Sequence, residues 1–467
     1  MHCLISATVL IATLIIPLAT PTAAQDPTPT TPQIGLNFIR VFWEVESVKP
    51  GQRPDPGQQI QEINTLTPYV QPDWILTDFR DLGIHAFRQF IKADLFWDII
   101  EPHDDDWHFE AADAVLLRDD LDITPIVTLF ALQYASPTPP WVTEDSQFQK
   151  TLGPEAMDYL DHVIERYNDV ITYWEIGNEM NHWRAADPDG NDRAAQIGRV
   201  PSPAPAGGFS PQEQGVFLAQ VAAYIRERDP DAVIVMPGIG GIDDYTLDVW
   251  FAGVIQGGGS DWFDVVNYHY YSPWFTYPIR RPTLQQFLVQ HNIAHKPVWL
   301  TETGSTSSPT LTQRTDYPNS PASQAADMFR RLIQAYGHGD SLVMWHTYIG
   351  SPDLPNNLWR LYGIRQDTGQ NAAPQPSYYA LKLLIGELIP FAAVETLDVN
   401  PQGANAYRIT TGTGAVKYVA WGSGTFTLPD GVTQMTGVMP GPDGKYGWES
   451  VTPGETILLS ATPVLVR

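Results

Sequence analysis

Apolar residues along the chain fall into eight short runs rich in β-branched and aromatic side chains. They cover residues 34–42, 84–91, 123–132, 170–177, 232–236, 263–271, 297–303 and 342–348. Runs of this length read as strands, and their nearly continuous apolar character marks burial on both faces. Between them apolar residues recur at i, i+3 and i+4, as over 216–228 and 325–336, and a last helix is expected over 377–388. Eight alternating strand–helix units predict an α/β chain with a parallel sheet, closed into a (β/α)8 TIM barrel. A doubly wound open sheet is the rival, but no glycine-rich dinucleotide fingerprint follows the first strand. The span 33–389 exceeds the roughly 250 residues of a typical barrel, so some connections must be long. Those over 133–154, 181–210 and 303–320 all follow strands, on the face where barrel active sites are built.

After residue 388 the texture changes. Short β-rich runs at 394–399, 406–410, 416–421, 425–428, 456–459 and 463–466 are separated by turn signals such as Pro429-Asp430-Gly431. They predict a small antiparallel β-sandwich-like domain over 390–467, marginal alone and docked on the barrel. At the other end, Leu4 to Ala19 are almost all apolar and give way to small residues up to Ala24. This reads as a secretory signal peptide over 1–24, followed by a Pro/Thr linker over 25–32. An uncleaved anchor is the rival; a bilayer span wants about 20 apolar residues, and this run is shorter. The expectation is therefore a secreted protein without a stable membrane span after cleavage. The single cysteine, Cys3, lies in the discarded segment, which leaves no disulfide and no cysteine metal site.

Composition narrows the partner. The 467 residues hold 53 acids against 27 bases, a net charge of −26. Such a surface repels phosphate backbones, so nucleic acid is excluded as a first reading and a neutral partner suits it better. Histidines lack metalloprotease spacing, and no serine nucleophile elbow is present. The oxygen-rich stretch Asp187-Pro-Asp-Gly-Asn-Asp192 has its glycine too early for a calcium loop and reads as an acidic turn. No cofactor and no metal are expected.

Two strand ends carry the chemistry. The fourth run ends Trp174-Glu175-Ile176-Gly177-Asn178-Glu179, and the seventh ends Leu300-Thr301-Glu302-Thr303-Gly304. Each sets a carboxylate at the C-terminal end of a strand, and in a barrel such ends face one shared cavity. With Arg88 on strand two, His269 and Tyr271 on strand six and Trp345 on strand eight, the order resembles that of the retaining glycoside hydrolases on (β/α)8 barrels. The run Trp97-Asp-Ile-Ile-Glu-Pro102 is similar to the segment after strand two in these families. In style the strands are nearest to glycoside hydrolase family 39 or family 5. The third strand lacks the histidine usual in family 5, and Met180 stands where many relatives carry proline.

The resemblance implies that Glu179 is the acid/base and Glu302 the nucleophile, about 5–5.5 Å apart, acting through a covalent glycosyl-enzyme. Arg88 and Tyr271 would keep Glu302 ionised, and the anion at 302 would raise the pKa of Glu179. Asn178 would hold a sugar hydroxyl, His269 would contact sugar or acid/base, and Trp345 would offer a flat face to a pyranose. Arg88 as a structural partner of Glu175 is the plainer alternative. Trp141, Trp183 and Trp274 are equally readable as sugar subsites or as pins for long loops. The implied substrate is a neutral oligo- or polysaccharide. A non-catalytic carbohydrate-binding barrel and a transglycosylase using the same residues are the competing readings.

Overall fold

The computed structural model describes residues 32–37, 72–88, 95–129, 139, 141–142, 152–182, 210–307, 320–349, 362–365, 373–398, 403–441 and 443–467. The N-terminal apolar run, the Pro/Thr linker and most of the three long connections lie outside them, as do Trp183 and the Asp187–Asp192 stretch.

All eight predicted strand runs form strands. They are β1 (Ile34–Asn37), β2 (Ala86–Arg88), β3 (Thr124–Thr128), β4 (Tyr173–Glu175), β5 (Val233–Val235) with its continuation β6 (Ile239–Gly240), β7 (Val266–Tyr270), β8 (Val298–Thr303) and β9 (Leu342–His346). Pro237 separates β5 from β6; it cannot donate to a ladder, so one barrel strand appears as two pieces. The order β5-β4-β3-β2-β1-β9-β8-β7-β6 is parallel throughout. A parallel bridge from Val235 to Val265, just before β7, closes the ring, with Met236 N donating to Val265 O at 3.1 Å. The chain is a (β/α)8 barrel followed by an antiparallel β-region.

Helices follow the strands and cover them. Among them are α1 (Pro72–Leu82), α2 (Trp97–Ile100), α3 (Glu110–Leu116), α4 (Pro154–Tyr167), α5 (Pro211–Arg228), α6 (Ala252–Gly258), α7 (Tyr277–Gln290), α8 (Pro321–Gly337) and α9 (Pro376–Leu388). The sequence sets their starts. Ser210 and Glu213 form a reciprocal capping box at α5, Ser320 caps α8 through Ser323 N, and proline occupies the first turn of both.

Past α9 come β10 (Phe391–Leu397), β11 (Ala404–Thr411), β12 (Val416–Gly422), β13 (Thr425–Thr427), β14 (Gln434–Gly437), β15 (Glu449–Ser450), β16 (Thr456–Leu458) and β17 (Val464–Val466). Six form one sheet, and β13 pairs with β16. The strands β14 and β15 were not expected; they are short and polar, and only their pairing with each other and of β14 with β17 defines them. Tyr407 and Trp421 belong to the same apolar cluster as the barrel's outer layer, and Glu387 of α9 takes Lys417 and Arg467 at 2.6 Å each.

Period-two alternation divides the strand side chains between the helix layer and the barrel interior. Inside, Ala86, Ile126, Val265, Trp299 and Met344 form an apolar floor with Tyr173 beside it. Gly35 belongs to the same level, since a Cβ there would meet Met344 Cε at 2.4 Å. Two residues further along each strand stand Asn37, Arg88, Thr128, Glu175, Asn267, Thr301 and His346, all buried and all polar. The interior therefore changes from apolar to polar in a single step toward the C-terminal mouth.

Candidate active site

Arg88 organises this polar layer. It is fully buried, and its guanidinium donates to Glu175 at 2.5 and 2.9 Å, to Glu302 at 2.7 Å, to Asn178 at 2.6 Å and to Asn37 at 3.1 Å. Both sequence readings of Arg88 are thus present at once: it pairs with Glu175 and also holds Glu302. Glu175 accepts in addition from Thr128 Oγ1 at 2.7 Å, Asn267 Nδ2 at 2.8 Å and Gly238 N at 3.1 Å. A buried carboxylate that accepts from this many donors is fixed in place, and Arg88 is oriented against it.

Glu302 reaches the interior through a β-bulge. The register of β8 against β7 steps from Leu300 opposite Tyr268 to Glu302 opposite His269, skipping Thr301. One extra residue lets the adjacent side chains of Thr301 and Glu302 both face inward, which strict alternation would forbid. Besides Arg88, Glu302 accepts from Tyr271 Oη at 2.7 Å and lies 3.5 Å from His269 Nδ1. Burial pushes its carboxyl up, but the neighbouring His269 and Arg88 outweigh this and hold it below the ordinary range. Of the two, Arg88 keeps its charge at every pH. Burial holds His346 neutral, pushed down to about 4 in spite of Glu302.

Glu179 follows β4 on a turn that leaves the alternation. Gly177 has φ +83° and Glu179 itself φ +46°, and Glu179 N donates to Gly238 O at 2.8 Å. A side chain other than glycine in this region is strained and is found where the surroundings impose it. Here the turn delivers the carboxyl beside His269, whose Nδ1 lies 2.9 Å from Glu179 Oε1. Glu179, His269 and Glu302 each offer an atom within 4.8 Å of the others. Such a group could share a cation, but Arg88 at 2.7 Å from Glu302 opposes it. The side chain of Glu179 is 26% exposed, that of Glu302 only 7%. The trio opens to the mouth on the Glu179 side.

Six of the seven residues singled out in the sequence, Arg88, Asn178, Glu179, His269, Tyr271 and Glu302, come together here. Trp345 does not. It lies between the inward Met344 and the inward His346, so its ring turns to the helix layer, fully buried, with Nε1 donating to Tyr362 O at 3.2 Å. The strand-eight residue at the site is His346, edge-on to Tyr271 at 6.0 Å. Asn37, Asn267, Thr301 and His346 carried a legible signal: each is polar at an inward position of an otherwise apolar strand. Trp141 and Trp274 serve as pins. Trp141 Nε1 donates to Glu101 O at 3.1 Å, and Trp274 sits under Arg330 and against Trp421.

The same architecture occurs in solved structures. A family 39 glycoside hydrolase from Bacteroides cellulosilyticus WH2 matches with a TM-score of 0.59 and 16% identity, over 93% of this chain and 80% of that one. The shared fold is the (β/α)8 barrel with its terminal β-region. A monomeric beta-xylosidase from Caulobacter crescentus CB15 matches at 0.52 and 15% identity, over 93% and 94% of the two chains. A glucosidase from Croceicoccus marinus matches at 0.53 and 13% identity, over 84% and 91%. No protein-family model and no curated sequence matches the chain. At these identities the likeness is one of fold, and chemistry has to be argued from the side chains.

Proposed function

We propose that this protein is a retaining β-glycosidase that cleaves O-glycosidic bonds of neutral oligo- or polysaccharides by double displacement. The observation that carries the reading is the pair Glu179 and Glu302, with facing carboxyl oxygens within 4.8 Å and His269 between them. This spacing suits the roughly 5–5.5 Å of retaining enzymes and leaves no room for the water that inverting enzymes hold at about 6.5–9.5 Å.

In the first step Glu302 attacks the anomeric carbon while Glu179 gives its proton to the departing oxygen, and the glycosidic C–O bond breaks. The resulting ester removes the charge of Glu302. Glu179, now a carboxylate, takes a proton from water, which attacks the same carbon and releases Glu302. Arg88 and Tyr271 stabilise the nucleophile as an anion at rest and as a leaving group in the second step. Asn178, held by Arg88, is available to a sugar 2-hydroxyl. The net charge of −26 supports a neutral substrate, and the apolar N-terminal run supports export with removal of residues 1–24. Among the described residues no helix is long and apolar enough to cross a membrane.

Incubation with a panel of 2-fluoro β-glycosides followed by peptide mass mapping tests the mechanism. An adduct on Glu302 is expected, and the sugar that labels fastest names the glycone. A protein that turns over glycosides without forming any adduct on Glu302 would sink the covalent mechanism.

A further inference from the structure

The hydrogen-bond chain behind the site has a direction, and it determines where the acid/base proton can sit. Glu175 is gripped by two guanidinium nitrogens of Arg88 and is a carboxylate with nothing to donate. Asn267 therefore turns its amide NH2 to Glu175 Oε1, at 2.8 Å, and its carbonyl Oδ1 the other way. That oxygen only accepts, so Thr301 Oγ1, at 2.6 Å, commits its single hydrogen there. Toward His269 Nε2, at 3.2 Å, Thr301 then presents only lone pairs, and Nε2 must carry a hydrogen. In the neutral imidazole Nδ1 is consequently bare, and it is Nδ1 that faces Glu179 at 2.9 Å and Glu302 at 3.5 Å.

We propose that Asn267 and Thr301 are positioning residues of the acid/base centre, which fix hydrogen on His269 Nε2 so that Glu179 and His269 hold one dissociable proton between them. The proton lies either on Glu179, donated to Nδ1, or on Nδ1, donated to the carboxylate. When the glycosidic bond breaks, this proton passes to the leaving oxygen as Glu302 forms its bond to the anomeric carbon. Glu179 is then an anion facing a bare nitrogen lone pair, a repulsion that strengthens it as the base for the incoming water. The proton taken from that water restores the pair. Its use in catalysis rests on the glycosidase reading; the tautomer rests on the hydrogen bonds alone.

The groups facing the pair are Arg88 from β2, Glu175 from β4, Glu302 from β8, His346 from β9, and Tyr271 and Tyr362 at the mouth. Thr301→Val alters none of them and keeps the side-chain shape, but it takes away the acceptor for Nε2. His269 can then place its hydrogen on Nδ1 and donate to Glu179, which favours the anion. The basic limb of kcat/KM against pH should move down by about one pH unit. Rates on substrates with poor leaving groups should fall roughly tenfold, while dinitrophenyl glycosides change little. Thr301→Ser keeps the hydroxyl and should restore both. A folded Thr301→Val protein with an unmoved basic limb, or with equal losses on both substrate types, overturns the proposal. Nitrogen-15 spectra of the imidazoles in the parent protein, with His269→Gln to assign the signal, must show Nε2–H at neutral pH. An Nδ1–H tautomer overturns the proposal whether or not any variant folds. A parent inactive on every glycoside would instead refute the functional reading and leave the tautomer standing on that spectrum.

Discussion

Replacing Arg88 with methionine tests the electrostatic architecture most directly. All five N–H groups of Arg88 are in use, two on Glu175 and one each on Asn37, Glu302 and Asn178. Removing one partner of a buried ion pair costs about 3–5 kcal/mol, because it strands a charge in a poor solvent. Here two carboxylates are stranded, with side-chain exposures of 0% and 7%, so the loss belongs at the upper end, about 5 kcal/mol. Adding Glu175→Gln removes one of those charges and keeps an amide oxygen for Asn267 and Gly238. It should return about 2 kcal/mol, and the double variant should be more stable than the single one. Urea unfolding followed by tryptophan fluorescence would then give midpoints in the order parent, double, single, at similar slopes. A double variant that unfolds before the single one would refute this reasoning.

The pH dependence carries a sign as well. The carboxyl of Glu302 is held below its ordinary range, so its ionisation contributes stability above that range, lost as pH falls through the lower folded-state value. Without Arg88 the burial of Glu302 loses its permanent opponent. An opposite charge at this distance moves a carboxyl by about 1–3 pH units, so the acid limb of the pH–rate profile should move up by that order. The stability gap between parent and variant should narrow as the solution is acidified.

Two further substitutions separate site from scaffold. A Cβ on Gly238 would lie 2.1 Å from His269 Nε2, so Gly238→Ala must displace the imidazole. It should lower the proposed glycosidase activity by on the order of tenfold, and double-mutant kinetics should show that loss vanish in a His269→Ala background, where no ring remains to be displaced. Trp345→Phe leaves a gap in the helix layer and should lower stability by about 1–3 kcal/mol with kcat and KM unchanged; a rise in KM would mean that the ring meets substrate after all.

The barrel strands were legible because each had to be apolar enough to be buried on both faces, and helices α5, α8 and α9 announce themselves by period and by their serine or proline starts. The two carboxylates were legible because an acid directly after such a run has to lie at its end. Trp345 was misplaced for a physical reason: residue type suggested a sugar platform, but alternation counted from Met344 turns it outward and puts His346 in its place. Strands β14 and β15 were missed because polar, two-to-four-residue segments have no pattern of their own and exist only through their neighbours.

By itself, then, the order of residues determined the number of barrel strands, the burial of their faces and the chemical kind of group waiting at their ends, since these depend on local period and composition. The tertiary structure alone decided that Arg88 serves two carboxylates, that a bulge lets Thr301 and Glu302 face inward together, and that Glu175, Asn267, Thr301 and His269 form a directed hydrogen-bond chain. Those relations join residues as many as 214 positions apart. Only the closed barrel brings them within a few ångströms, where short-range forces can act.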